Sequence, residues 1–292
     1  MRFVEGPVTV RVPASSANLG PGYDSLGLAL AVHDELTAEV LPGDELRVEV
    51  SGEGEHDVPR DAEHLVVQAM DAAFSLMGVS RPGLRLRCTN RIPHARGMGS
   101  SSAAIVGGIV LARALVPAGN ELLGDGAAYQ LANDLEGHPD NVAAAMFGGV
   151  TIAWTQAAVV DVQRLDVSAP VTLFVPREAV STEVARGLLP EQVPHADAAA
   201  NAGRAALLVA ALLADPARLL PATEDRLHQG YRAPAMPDSH KLLRQMRVEG
   251  VPAVISGAGP TVLAFGHGLT EWAPAGWTVV ETEVAARGAT VV

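Results

Sequence analysis

Two glycines and three serines stand side by side in the segment Gly97-Met98-Gly99-Ser100-Ser101-Ser102. A run from Ala103 to Leu115 follows that is apolar on nearly every face, which indicates a helix buried on all sides. Glycine lets a backbone come close to a ligand, and the unpaired N–H groups at a helix start attract anions. The segment therefore predicts a phosphate site. An ordinary serine-rich cap before a core helix explains the same residues equally well.

A second group of reactive side chains lies between positions 136 and 141. Glu136, His138, Asp140 and Asn141 place two carboxylates, an imidazole and an amide at the junction of two helical patterns. Oxygen ligands of this kind suit a divalent cation, and the other groups can orient a polar substrate. The alternative is a capping arrangement in which Asp140 occupies a first helical turn.

Two loops contribute further polar and glycine-rich segments. The first, from Pro13 to Gly27, carries Asn18 and Asp24 between two apolar stretches, and a surface turn accounts for its composition. The second, Ser256-Gly257-Ala258-Gly259-Pro260-Thr261, lies between two strand-like runs and indicates a tight hairpin or a close backbone approach. Neither loop alone predicts a function.

The composition excludes several classes of protein. The 292 residues include 21 basic and 33 acidic side chains, and the formal charge of -12 opposes the basic surface of a nucleic-acid-binding protein. The single lysine, Lys241, lies in a helical pattern and has no G-x-x-x-x-G-K-[ST] motif around it. The phosphate-binding devices of P-loop proteins and protein kinases are therefore missing from this sequence.

The same composition bears on location. No stretch approaches the roughly 20 uninterrupted apolar residues of a membrane span, and no secretory signal is visible at the N-terminus. We therefore expect a cytoplasmic protein with no membrane or nucleic-acid partner. Cys88 lies in a strand-like segment and is expected to be a packed structural thiol.

The elements that must position these residues form a mixed pattern. Strand patterns cover 8–12, 45–50, 84–89, 150–154 and 171–175, and helical patterns cover 61–77, 103–115, 126–135, 140–147 and 197–213. Asp61 is the expected N-cap of the first helix. Strands and helices mix without strict alternation, which favours an α+β fold over a doubly wound sheet. Any domain boundary near 155 to 170 is tight, because no long linker is visible.

Taken together, the four chemical segments resemble the GHMP small-molecule kinases. The matching motifs are P-A-S-S-A-N-L-G-P-G-Y-D at 13–24, P-x-x-x-G-M-G-S-S-S-A at 93–103, E-G-H-P-D-N-V at 136–142 and I-S-G-A-G-P-T at 255–261. Segments 181–190 and 225–234 resemble the substrate side of the subfamily that acts on L-homoserine. The departures are Met98, where the family usually has leucine, and Tyr23, where it usually has phenylalanine.

The resemblance implies a fold and an activity. The fold is a two-domain GHMP kinase fold, with a left-handed β-α-β unit in residues 1–160 and a ferredoxin-like domain in residues 161–292. The implied cofactors are ATP and Mg²⁺. The implied substrate is L-homoserine, phosphorylated on its side-chain hydroxyl to O-phospho-L-homoserine on the route to threonine. Whether the protein assembles as a homodimer is left open.

The resemblance also assigns roles residue by residue. It implies that Glu136 and Ser101 bind the metal ion and that Asn141, Asp140 and Thr182 are catalytic residues. The implied substrate contacts are Asn18, Asp24, His138, Arg186, Arg232 and Gly259. The implied ATP loop consists of Pro93, His94, Ala95, Arg96, Gly97, Met98, Gly99, Ser100, Ser101, Ser102 and Ala103. Asp24 suits the substrate ammonium and an arginine fork suits its carboxylate.

Alternatives remain for mechanism and substrate. Some family members use an Asp/Lys pair, but no lysine accompanies Asp140, so catalysis by positioning and electrostatic stabilisation is favoured. Whether Asp140 or Asn141 assists proton removal is open. The rival functions are a kinase for a mevalonate-like alcohol and a non-catalytic sensor. A dinucleotide dehydrogenase is disfavoured, since G-x-G-x-x-G with an acidic residue about 20 positions on is missing.

Overall fold

The computed structural model describes residues 3–292, which form two β-sheets flanked by helices. The strands are β1 Val8–Ala17, β2 Leu26–Leu41, β3 Leu46–Gly52, β4 Gly83–Asn90, β5 Val150–Gln156, β6 Val159–Leu165, β7 Pro170–Val175, β8 Ala253–Ile255, β9 Val262–Phe265, β10 Thr278–Glu283 and β11 Thr290–Val291. The helices are α1 Leu65–Leu76, α2 Ser100–Leu115, α3 Gly119–Leu122, α4 Asp125–Glu136, α5 Pro139–Phe147, α6 Thr182–Gly187, α7 His195–Ala214, α8 Leu219–Ala222, α9 Gln229–Arg232 and α10 Pro237–Val248.

The first sheet has seven strands, in the order β11-β1-β2-β4-β3, with β5 and β6 added beside β2. The 16-residue strand β2 pairs with β4 along residues 35–41 and with β5 along residues 26–28. β3 and β4 are parallel and α1 connects them, which makes a β-α-β unit. The sequence patterns did not identify β2, because its buried first half, Leu26–Leu30, has no alternation of apolar and polar residues.

β1 is longer than the pattern at 8–12 predicted. It continues to Ala17, so Ser15 and Ser16 lie in the fully buried end of the strand and the turn follows them. Asn18 and Asp24 have φ values of 68° and 51° in that turn. This left-handed backbone is one that asparagine and aspartate adopt more readily than most residues.

The first helix begins one turn later than expected. His64, not Asp61, is the N-cap of α1, and its Nδ1 accepts a hydrogen bond of 3.3 Å from the Val66 N–H. Asp61 instead accepts from the Glu63 N–H at 2.9 Å, within the preceding turn. The predicted N-cap is therefore wrong, because the aspartate satisfies a local turn before the helix starts.

The second sheet has four antiparallel strands in the order β10-β7-β9-β8. Helices α6 to α10 lie between β7 and β8 in the chain, as in a ferredoxin-like β-α-β half. The connection from β9 to β10 contains only a 3-10 turn, Thr270–Trp272. The α+β fold class is confirmed.

The two sheets meet between β6 and β7. β6 pairs with β5 in the first sheet, and β7 begins the second sheet. Near the chain end, β11 returns to the first sheet and pairs with Val10 and Arg11 of β1. We propose that the domains divide between Leu165 and Pro170, with β11 crossing back.

Two predictions about single residues are confirmed. Lys241 lies in a helix, α10, as its pattern indicates, and it is exposed there. Cys88 is buried in β4, and burial raises the pKa of its thiol to about 12, which suits a packed, unreactive side chain.

α7 is long and apolar enough to cross a membrane by length and composition alone, with a mean hydropathy of 1.3. Its polar side chains bind it to the rest of the protein. Asn201 donates a 2.7 Å hydrogen bond to the Pro21 carbonyl, and Arg204 pairs with Glu224 at 2.9 Å. Leu208, Ala211 and Leu212 of the same helix are buried in the hydrophobic core, so α7 packs on the protein through both polar and apolar contacts.

Candidate active site

A cleft of about 250 Å³ collects side chains from both halves of the chain. Two of its lining residues, Gly257 and Ala258, were not predicted. The predicted site residues that line it are Asn18, Ala95, Gly97, Met98, Gly99, Ser100, Ser101, Glu136, His138, Asp140, Asn141, Thr182, Arg186 and Arg232. Six sequence segments that stand far apart in the chain therefore share one cleft.

The glycine-rich loop forms the floor of this cleft and ends at the start of α2. Gly99 is the N-cap with φ 68°, and the first helical bond joins the Ala103 N–H to the Gly99 carbonyl at 2.9 Å. The N–H groups of the three serines consequently lack intrahelical acceptors. A Cβ at Gly97 would collide with the Ser256 carbonyl, and one at Gly99 with the Ser15 hydroxyl. Close packing thus holds the loop in a shape suited to an anion.

Glu136 lies at the end of α4, beside the start of α2. Its Oε1 accepts hydrogen bonds from the hydroxyls of Ser101 at 2.7 Å and Ser102 at 2.9 Å. The serine-rich cap expected from the sequence is not present, because α2 has no side-chain cap and these two hydroxyls turn to the carboxylate. Ser102 is fully buried, whereas Ser101 lines the cleft.

His138, Asp140 and Asn141 form a bonded set at the start of α5. Oδ1 of Asp140 accepts from the Asn141 N–H at 2.8 Å and lies 3.0 Å from Nδ1 of His138. Burial opposes charge on the imidazole, but the hydrogen bond to Asp140 and the nearby carboxylates outweigh burial and raise the pKa of His138. Asp140 therefore bonds to both the imidazole of His138 and the backbone of Asn141, while α5 itself has no side-chain cap.

Asn141 is oriented by a residue that the sequence analysis missed. The Ser15 hydroxyl donates a 2.8 Å hydrogen bond to Oδ1 of Asn141. With its oxygen occupied, the amide presents its NH₂ group to the cleft. The signal available in the sequence was the Ser15-Ser16 pair before Asn18, which gives no indication of its distant partner.

Arg186 and Asp24 form an ion pair at the edge of the cleft. The two guanidinium nitrogens of Arg186 donate to the Asp24 carboxylate at 2.7 and 3.2 Å, and one also donates to the Tyr23 hydroxyl at 3.0 Å. Burial alone would lower the pKa of the Arg186 guanidinium. The hydrogen bonds to Asp24 and its negative charge outweigh burial, so the pKa of Arg186 is raised. The departure at Tyr23 therefore adds a hydrogen bond to this arginine.

Arg232 lies deeper and has a different environment. It is 1% exposed and ends the short helix α9, and one of its nitrogens contacts His228 Nδ1 at 3.2 Å and the Gly257 carbonyl at 3.3 Å. No carboxylate within residues 3–292 forms an ion pair with it. Burial lowers the pKa of Arg232, and the more distant carboxylates of Asp24 and Asp225 oppose this shift without cancelling it.

A second cavity of about 280 Å³ adjoins the cleft and shares Ser100 and Ser101 with it. Its walls are mainly apolar, with Leu36, Val58, Pro59, Leu65, Val66 and Ala104, and its polar members are Asp34, Glu63, His64, Asn90 and His94. Thus His94 of the predicted ATP loop faces this second cavity.

Several predicted residues do not line the cleft. Arg96 turns away and donates to the Pro176 carbonyl at 3.0 Å. Gly259 lies behind the loop against Met236, while its neighbours Gly257 and Ala258 line the cleft. Pro93, Ser102 and Ala103 are likewise absent from the lining, and Asp24 reaches the site through Arg186.

Comparison with known proteins gives the family. Residues 64–149 match the model described as "GHMP kinases N terminal domain". The chain is 52% identical to the homoserine kinase of Streptomyces avermitilis, over 99% of this chain and 97% of that protein. It is 47% identical to the homoserine kinase of Clavibacter michiganensis, over 97% and 93%. The crystal structure of homoserine kinase from Cytophaga hutchinsonii matches with a TM-score of 0.85 and 25% identity, over 100% of this chain and 99% of that one. With a shared fold and such identity along the whole chain, the protein belongs to the homoserine kinase family of the GHMP kinases.

Proposed function

We propose that the protein transfers the γ-phosphoryl group of ATP to the side-chain hydroxyl of L-homoserine, giving O-phospho-L-homoserine for threonine synthesis. The observation that carries this proposal is Arg232, a buried cation that has no ion-pair partner within residues 3–292, in the same cleft as the anion-binding start of α2. A substrate carboxylate would supply the missing charge, because a buried guanidinium gains most from a paired, hydrogen-bonded anion.

The two ends of the cleft suit the two reactants. The free N–H groups of α2 and the shared serines favour the triphosphate. The adjoining apolar cavity has the size and lining that a nucleoside needs, and it opens beside the same serines. Arg186 and Arg232 then face the amino acid at the other end, with Asp24 paired to Arg186 at the edge of the cleft.

The residues fit Mg²⁺ of the kind that accompanies a nucleotide. Glu136 offers a cleft-facing carboxylate with Ser101 beside it, and residues 3–292 contain no cluster of three or more His, Cys, Asp or Glu side chains that could hold a metal. Magnesium is commonly held by one or two carboxylates together with substrate phosphates and water. When bound, the ion would neutralise charge on the phosphate oxygens.

The side chains support catalysis by positioning. Asn141 presents its NH₂ group because Ser15 occupies its oxygen, so it serves as a donor to the reacting oxygens and not as a base. Asp140 already accepts from Asn141 and His138 and is 2% exposed, which disfavours proton removal by this carboxylate. The raised pKa of His138 favours its cationic form, which together with the start of α2 would stabilise negative charge, and Thr182 faces the cleft beside them.

A substrate panel tests the assignment by release of ADP. The kcat/KM for L-homoserine should exceed that for 4-hydroxybutyrate, which lacks the amino group, and that for 3-aminopropan-1-ol, which lacks the carboxylate. Polar sites can reject such analogues by about four to five powers of ten in kcat/KM. Serine and threonine hold the hydroxyl one carbon closer and should react slowly, because in-line geometry is lost.

The same panel separates the rival functions. Equal turnover of mevalonate and homoserine would contradict the amino-acid assignment, while ATP binding without ADP release on any alcohol would favour a sensor. Arg232→Ala should raise the homoserine KM with less effect on ATP. Arg226→Ala, a change at a solvent-facing arginine of the same segment, is the matched control.

The setting of the reaction stays a prediction. The formal charge of -12 supports an enzyme without a nucleic-acid partner, and a cytoplasmic location without a membrane partner stays a prediction. A homodimer also stays a prediction, which light scattering can test by measuring the molar mass in solution.

A further inference from the structure

His228 is a fully buried imidazole that precedes α9 and contacts the substrate side of the cleft. Its Nε2 lies 2.8 Å from the Gly20 carbonyl, and its Nδ1 lies 3.2 Å from a guanidinium nitrogen of Arg232. Its ring lies 5.4 Å from the ring of Tyr23 at an interplanar angle of 35°. The His228 side chain therefore contacts two parts of the site: the loop that carries Asp24, and the buried guanidinium of Arg232.

These partners determine the tautomer. A carbonyl oxygen can only accept, so Nε2 must carry the proton towards Gly20. A guanidinium can only donate, so Nδ1 must offer its lone pair to Arg232. His228 is consequently a neutral imidazole with a defined donor and a defined acceptor.

The surrounding charges maintain this form. Burial is the main effect and, together with the adjacent Arg232, lowers the pKa of His228, although Asp225 and Asp24 oppose the shift. Protonation would place a second buried cation against the guanidinium. The lone pair therefore stays available to Arg232 at neutral pH.

The backbone of the segment is also fixed. Oδ2 of Asp225 accepts from the N–H groups of His228 at 3.1 Å and Gln229 at 2.7 Å. Oε1 of Gln229 accepts from the Ile255 N–H at 2.6 Å, which ties the segment to β8. The imidazole is thus held rigidly enough to orient a neighbouring side chain.

We propose that His228 is a positioning residue for the amino-acid substrate, whose Nδ1 lone pair holds the Arg232 guanidinium in the orientation that receives the carboxylate. This inference rests on the proposed function, because it assumes that Arg232 binds the substrate carboxylate. It goes beyond that function by assigning part of the substrate affinity to a residue with no contact to the substrate.

Two matched variants separate this role from a structural one. In His228→Asn the amide oxygen occupies the place of Nδ1, which keeps the acceptor for Arg232. In His228→Gln the amide nitrogen reaches the place of Nε2, which keeps the donor to Gly20 and removes the acceptor. We expect His228→Gln to raise the homoserine KM about tenfold or more, with kcat and the ATP KM within about twofold of wild type. His228→Asn should stay close to wild type.

The opposite order, or a homoserine KM unchanged in His228→Gln, would overturn the proposal. A double-mutant cycle adds a second readout, since His228→Gln should have little further effect on KM in an Arg232→Lys background. Additive effects would contradict action through the guanidinium.

Measurements on the wild type make the test independent of how the variants fold. The ¹⁵N chemical shifts of His228 should report a protonated Nε2 and an unprotonated Nδ1, and a protonated Nδ1 would overturn the inference. Wild-type turnover of homoserine identifies which idea fails. If the wild-type protein releases no ADP with homoserine, the result contradicts both the proposed function and this inference. If wild type is active while His228→Gln binds homoserine normally, only this inference falls.

Discussion

Asp24 and Arg186, whose charges match the two ends of a zwitterionic amino acid, hold each other through contacts of 2.7 and 3.2 Å. Both side chains are 36% exposed, so solvent screens the pair and its net contribution is roughly 0.2–1 kcal/mol. A substrate that supplies an ammonium for Asp24 and a carboxylate for Arg186 can replace this pair at little cost.

The first prediction concerns Asp24. Asp24→Asn should lower kcat/KM for homoserine about tenfold or more, because the ammonium loses its counter-ion. Turnover of 4-hydroxybutyrate, which has no amino group, should change much less. A steady-state comparison of both alcohols checks this, and equal losses on the two would contradict contact with the ammonium.

Replacing Glu136 tests the metal site. Glu136→Gln should remove most turnover at ordinary magnesium concentrations and leave the fold intact, since the carboxylate lines a cleft and lies outside the apolar core. A magnesium titration of turnover and a thermal melt are the measurements. Glu121→Gln, at an exposed position in α3, is the matched control, and near-wild-type turnover of Glu136→Gln would refute the assignment.

The two serines bonded to Glu136 should differ in effect. Ser101→Ala should lower turnover and magnesium or ATP affinity more than Ser102→Ala, because only Ser101 faces the cleft. Ser102→Ala leaves Glu136 with one donor and should act mainly on stability, by about 1 kcal/mol. Steady-state kinetics and denaturant unfolding of both variants test this prediction. A larger loss of turnover in Ser102→Ala than in Ser101→Ala would contradict it.

Ser15→Ala should act on catalysis through Asn141. Without the 2.8 Å hydrogen bond the amide can turn its oxygen into the cleft, so kcat should fall about tenfold while the homoserine KM changes little. Ser25→Ala removes a hydroxyl that donates to the Ala153 carbonyl and serves as the control. An unchanged kcat in Ser15→Ala would mean that the amide needs no orientation by Ser15.

The raised pKa of His138 predicts a pH dependence of stability. A histidine with a folded pKa above its ordinary value of about 6.5 stabilises the protein below that value, and the stabilisation is lost as pH rises through the folded pKa. Asp140→Asn should lower the pKa of His138 in an NMR titration and remove that part of the pH dependence. The signal of exposed His56 is the internal reference, and an unshifted His138 would show that Asp140 does not raise its pKa.

Local chemistry was readable from the sequence because it depends on neighbouring residues. The glycines and serines at 97–102 define a helix start, and the order Glu136-Gly137-His138-Pro139-Asp140 ends one helix and begins another. The N–H groups of such a start lack partners wherever the helix lies, so the anion site followed from residue types and spacing.

Tertiary structure decided which partners each polar group found. Ser15 and Asn141 are separated by 126 positions, Asp24 and Arg186 by 162, and Gly20 and His228 by 208. No local pattern specifies such pairs, because they form only when β1, α5 and the segment before α9 pack around one cleft. The start of β2, Leu26–Leu30, is buried on both faces, which removes the alternation that marks a strand, whereas Leu36, Ala38 and Val40 do alternate with polar residues and the sequence analysis missed them. The sequence by itself determined the chemical groups, while packing determined that Arg232 would be a buried cation with an oriented guanidinium.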